Sequence, residues 1–236
     1  MIKAFLVLLL AVLPVVILGY YVYYKDKDKE PKKLLFELFL GGLLAAVLTV
    51  LISLIIRKIF PFFDGNTASY KPIQLLVYTM FIVSLVEEVS KFIITYLISY
   101  HNKEYDQLYD MIVYAVFVSL GFAWIENVLY IIDGGISAAV SRFLFAVPTH
   151  ASVAVFMGYY LSLSKLADIN KKEKLKFRYL ILSILIPTLF HGLYDFLVYS
   201  SSYFLMYLLS AFSLLLFIKA NEKLVQVSSS NINFNK

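Results

Sequence analysis

Seven long apolar stretches constrain this 236-residue chain more than any other feature. They cover residues 4–24, 34–56, 73–99, 109–132, 138–164, 179–199 and 201–218. A helix needs about 20 apolar residues to cross the hydrocarbon core of a bilayer. Backbone N–H and C=O groups in lipid must pair within their own segment, so helices are expected rather than an open sheet. With 61% hydrophobic and 16% charged residues, the chain carries more apolar surface than a soluble core of this size can hide. The same composition excludes intrinsic disorder. Zero cysteines exclude a disulfide scaffold, a Cys-ligated metal and a Cys nucleophile. The expected fold is all-α, a polytopic transmembrane helix bundle of about seven spans forming a single domain over residues 1–236.

The first stretch resembles a signal peptide, with Lys3 ahead of an apolar run from Phe5 to Leu18. The run is long, no Ala-x-Ala site follows, and Tyr20 to Tyr24 looks like an interfacial aromatic belt, so a retained helix is expected. Lys and Arg set the orientation. Lys25, Lys27, Lys29, Lys32 and Lys33, then Lys103, then Lys165 to Arg178, then Lys219, Lys223 and Lys236 fall on one side. Only Lys3, Arg57, Lys58, Lys71 and Arg142 fall on the other. The positive-inside rule makes the richer side cytoplasmic, with the N-terminus outside and the C-terminus inside. The basic loops are read as solvated or touching lipid headgroups, with no nucleic-acid role. The polar tail, Ser228 to Asn233, is expected to fray.

The chemistry lies in ionisable residues within the spans. Each costs on the order of 2.5–3.5 kcal/mol to insert, so it faces protein or water and marks function by default. The third span carries Glu87-Glu88-Val89-Ser90-Lys91. Lys91 lies one turn from both Glu residues and is expected to neutralise one of them. The other carboxylate, pointing about 100° away, is left without a partner. The fourth span carries Phe122, Glu126 and Tyr130, with Asp110 at its start in a structural role suited to a helix N-terminus. The fifth carries His150, with Gly158 two turns on for close helix approach. The sixth carries His191 and Asp195 on one face. At 1.5 Å per residue, Glu126, His150 and His191 lie roughly 9–18 Å from the outer helix ends and Glu87 roughly 20 Å, so one site opening away from the cytoplasm is expected.

Such a cluster suits three roles. It can activate water for peptide hydrolysis through a desolvated carboxylate. It can move protons or cations in a transporter, although no inverted repeat supports that alternative. It can also simply lock helices together. No His-Glu-x-x-His helix or Gly-x-Ser-x-Gly elbow is present.

The four motifs, Glu87-Glu88-x-x-Lys91, Phe122-x-x-x-Glu126-x-x-x-Tyr130, His150 with Gly158, and His191-x-x-x-Asp195, resemble those of the PrsW intramembrane proteases in content and order. The resemblance covers a motif core of about residues 80–196. The wider superfamily of CAAX and bacteriocin-processing proteases typically has Glu-Glu-x-x-x-Arg and Phe-x-x-x-His, so Lys91 and Glu126 favour PrsW. The resemblance implies site-1 cleavage of a membrane-anchored, single-pass anti-sigma factor in a stress response, by a multi-pass protein of the bacterial cytoplasmic membrane. Two His plus a carboxylate is a known catalytic zinc set. In that arrangement Glu126, His150 and His191 hold Zn²⁺, Glu88 activates water and Asp195 supports His191. A metal-free, glutamate-activated water remains the other reading, and Glu87 and Glu88 together with Glu126, His150 and His191 form the expected catalytic centre in both.

Overall fold

The computed structural model describes residues 2–63, 65–200, 202–230 and 232–234, with side chains from residue 9 onward except that of residue 203. It is a bundle of helices: α1 (Ile2–Lys25), α2 (Lys32–Ile59), α3 (Pro72–Val77), α4 (Leu85–Ser99), α5 (Asp110–Ser141), α6 (Val147–Ile169), α7 (Glu173–Tyr199) and α8 (Tyr203–Ser230). Among the described residues, Lys32–Ile59, Asp110–Ile169, Glu173–Tyr199 and Phe204–Ser230 are each long and apolar enough to cross a membrane. The chain is therefore an all-α membrane helix bundle. Ser201, in the expected turn between the last two spans, lies outside the described residues.

α3 and α4 are one rod. A stretch of wider π-helical turns, Tyr78–Ser84, joins them with right-handed helical dihedrals at both junctions. The 60-residue stretch Asp110–Ile169 folds back on itself. Gly135 has φ 61° and ψ −147°, a left-handed conformation that favours glycine. From that reversal the two arms run antiparallel, with Asn127 against Arg142, Ser119 against His150 and Ile112 against Gly158. A Cβ on Gly158 would run into the Ile112 backbone, so this crossing needs the bare glycine.

α5 is the central helix. From Met111 to Val116 every side chain is buried, as expected of a helix apolar on all faces. α1, α2, α4 and α6 pack around it. α2 buries only its first half, through Leu34, Leu35, Leu38, Gly41, Gly42 and Ala45. Its second half exposes Val47, Val50, Leu51, Leu54 and Ile55, an apolar surface that a bilayer solvates.

The tail departs from expectation. α8 runs past Lys219 to Ser230 because Leu216, Ala220, Leu224 and Val227 continue a buried stripe. The tail is docked rather than frayed. The Leu108 N–H donates to the Ile232 carbonyl at 3.1 Å, the Phe234 N–H to the Asp106 carbonyl at 2.7 Å, and the Phe234 ring packs edge-on against Tyr105.

Candidate active site

Four helices deliver the titratable groups to one place. α4 brings Glu87, Glu88 and Lys91, α5 brings Glu126, α6 brings His150, and α7 brings His191 and Asp195. Wide π-helical turns precede both Glu87 on α4 and His150 on α6. Such turns rotate the following helix relative to regular α geometry and recur at functional sites.

Lys91 holds both adjacent carboxylates instead of one. Its Nζ lies 3.2 Å from Glu87 Oε2, 2.8 Å from Glu88 Oε1 and 3.2 Å from His150 Nδ1. A long side chain one turn on can swing between two neighbouring positions. The ring of Phe122 fixes this one, with Nζ 4.1 Å from its centroid. The expectation that one Glu would lack a partner is corrected accordingly.

His191 places Nδ1 2.8 Å from Glu88 Oε1, and its Nε2 faces Glu87 Oε2 at 3.8 Å and Asp195 Oδ2 at 3.7 Å. With Nδ1 donating to Glu88, Nε2 keeps a free lone pair. The two imidazoles meet edge to face at 4.9 Å. Asp195 is thus near His191 but beyond hydrogen-bond distance.

One donor atom each from Glu87, Glu88, His150 and His191 lies within 4.8 Å of the other three, and all four residues are buried. Glu88 Oε2 is a buried oxygen with no hydrogen-bond partner. Two nitrogens, two carboxylates and an unclaimed oxygen fit a metal such as zinc. Lys91 sits among three of the same donors, so an ammonium and a metal draw on shared ligands. Glu126, expected among the metal ligands, is not a member of this group. Its Oε2 is taken by His150 Nε2 at 2.8 Å and Arg142 Nη2 at 3.1 Å.

By sequence alone Arg142 is no more than one of the few charges on the non-cytoplasmic side. It pairs with Glu126, donates from Nε to Asn127 Oδ1 at 2.6 Å and lies 4.4 Å above the Tyr130 ring. The signal for it was the reversal at Gly134-Gly135, which sets residues just before and just after the turn opposite each other.

A cavity of about 320 Å³ reaches Glu87 and Glu126. Its other walls include Arg57 in the last turn of α2, Tyr78 near the start of the α3–α4 rod, Tyr130 near the α5 reversal, and Tyr199 at the end of α7. Those are all helix ends on the side away from Lys32 and Asp110. Glu88, the expected base, is fully buried and does not line the cavity, whereas Glu87 does. A larger cavity of about 620 Å³ between α1 and α2 is almost wholly apolar and holds none of these groups.

Residues 30–219 match the sequence model of a family described as PrsW family intramembrane metalloprotease. The chain is 36% identical to Protease PrsW of Oceanobacillus iheyensis over 93% of its own length and 94% of that protein. It is 36% identical to Protease PrsW of Geobacillus kaustophilus over 79% of its length and 77% of the relative, and 31% identical to that of Bacillus subtilis over 87% and 88%. No solved structure matches the chain significantly.

Proposed function

Because the chain belongs to the PrsW family of intramembrane metalloproteases and is a multi-pass membrane hydrolase, we propose that Glu87 is its catalytic base and Glu88, His150 and His191 its metal-holding set. The proposed substrate is a single-pass membrane protein of the anti-sigma-factor type. The transporter alternative is not favoured by the family match.

The observation that carries this reading is the cavity that reaches Glu87 but not Glu88. A base must touch incoming water, and a ligand need not. A metal held by Glu88, His150 and His191 would supply Lewis-acid polarisation of the scissile carbonyl. Glu87 removes a proton from water as its oxygen attacks the carbonyl carbon. It then returns that proton to the amide nitrogen as the C–N bond breaks, leaving a carboxyl and an amine product. Glu126 accepts from His150 Nε2–H, which fixes the tautomer and leaves the Nδ1 lone pair facing Lys91 Nζ at 3.2 Å, beside the Glu87 and Glu88 carboxylates that the same ammonium holds. Arg142 keeps the Glu126 carboxylate in place. The Lys-rich helix ends opposite the cavity support an opening on the non-cytoplasmic side.

The test uses purified full-length chain in liposomes with candidate anti-sigma factors and other single-pass proteins, with and without a chelator. Cleavage of an anti-sigma factor, lost in Glu87→Gln and with chelator, is the expected result. Wild-type cleavage by Glu87→Gln would remove the assigned base. Cleavage confined to other single-pass proteins would remove the substrate class.

A further inference from the structure

Three more carboxylates meet at the end of the bundle opposite the cavity. Asp26 and Glu30 lie in the loop between α1 and α2, and Asp110 opens α5. They are 3%, 5% and 0% exposed. One oxygen from each lies within 4.8 Å of the other two.

Their hydrogen bonds account for only part of this oxygen. Tyr114 donates its hydroxyl to Glu30 Oε2. Asp110 Oδ2 accepts the backbone N–H groups of Asp106 at 3.0 Å and Gln107 at 2.6 Å. The backbone N–H groups of Asp28 and Glu30 lie close enough to Asp26 to lower its charge cost, but both oxygens of Asp26, and Oδ1 of Asp110, are buried with no partner at good hydrogen-bond geometry. The neighbouring cation does not supply one. Lys29 donates its ammonium to the backbone carbonyls of Tyr23 at 2.9 Å, Tyr24 at 3.0 Å and Asp26. Burying a carboxylate is costly unless its charge is met by a proton or a cation. Burial raises Asp26, and with the charges of Asp110 and Asp26 beside it pushes Glu30 up to about 9. Without an ion, Glu30 therefore keeps a proton near neutral pH.

The geometry points to a cation site built by Asp26, Glu30 and Asp110 for a hard divalent ion of the calcium or magnesium type. The donors are all oxygen, which suits these ions and not a soft metal. Two oxygens on opposite sides of a calcium ion lie roughly 5 Å apart, which accommodates the observed spread. Two of the ligands sit in a loop and the third on the central helix, so a bound ion pins the α1–α2 loop to the start of α5. The tail docks at the same place, where Ser228 Oγ donates to the Lys25 carbonyl at 2.7 Å. This site is distinct from the proposed catalytic centre in position and in ligand chemistry.

The test strips full-length chain in detergent with a chelator. Ca²⁺, Mg²⁺ and Mn²⁺ are then added separately while thermal unfolding and heat of binding are recorded. At least one ion is expected to bind and raise Tm in the wild type and in His191→Ala alike. Asp26→Asn and Glu30→Gln are expected to weaken that binding at least about tenfold, because affinity at such sites follows the ligand charge count. Glu30→Gln keeps an acceptor for Tyr114, so it decides the matter should Asp26→Asn fail to fold. Absence of any Tm shift or heat in the wild type, or unchanged affinity in both variants, overturns the site and leaves a cluster that binds protons only.

Discussion

Two groups of buried or half-buried carboxylates sit at opposite ends of this bundle, and their charge is met in different ways. At the cavity end, Glu87 and Glu88 face Lys91, and Glu126 faces Arg142 and His150. Helices supply every one of those partners, because a residue one turn along the rod, or directly opposite on an antiparallel rod, is within reach. At the other end, Asp26 and Glu30 lie in a short loop whose Lys29 bonds backbone carbonyls instead. A cluster with built-in cations can be pre-organised without any ion. A cluster without them depends on what it takes from solution.

The sharpest break of this comparison is chemical. Glu87→Gln should lower proteolysis by roughly 10²–10⁴-fold with metal content unchanged, the usual contribution of a positioned general base. A matching loss of metal would instead make Glu87 a ligand and leave the two ends more alike than described. Next in size is Lys91→Met. Removing one partner of a buried pair strands the other charge, at a cost of about 3–5 kcal/mol. Unfolding of chelated protein in detergent should show that loss, and added zinc should recover part of it, because ion and ammonium share donors. An unchanged Tm would mean that the carboxylates are not charged there.

Glu126→Gln should act more gently. It keeps an acceptor for His150 but loses the charge, and such partners of metal-binding imidazoles typically carry about 10–100-fold in metal affinity or activity. Zinc titration followed by proteolysis checks it. The smallest effect belongs to the cation-poor end. In chelator, Asp26→Asn should change stability by no more than about 1 kcal/mol, because no side chain donates to that carboxylate and the Asn oxygen still accepts from the nearby backbone N–H groups. A drop as large as that of Lys91→Met would show a built-in partner for Asp26 and erase the contrast.

The sequence made the cavity end legible and the other end nearly opaque, for a physical reason. Glu87, Glu88, Lys91, His191 and Asp195 sit at three- and four-residue spacings inside apolar helices, where charge is costly enough to mark function. Asp26 and Glu30 sit among lysines in a loop, where the same residue types normally meet water, and only the fold shows them buried. Arg142 escaped because its partner Glu126 is reached through the reversal at Gly135 and not along one helix. The divergence of Glu87 and Glu88 was readable from helix geometry. Which of them faces the cavity was not, because that depends on the register of α4 against α2 and α5. The end of α8 was missed because Lys219, Glu222 and Lys223 interrupt the apolar run while Leu216, Ala220, Leu224 and Val227 keep its buried stripe.

The most direct test of the central claim measures transition-metal content and proteolysis together in wild type, Glu87→Gln and His191→Ala. Metal should be present in the active wild type, retained in an inactive Glu87→Gln, and lost together with activity in His191→Ala. Full proteolysis by metal-free wild type would contradict it, because Glu88, His150 and His191 would then hold no catalytic ion.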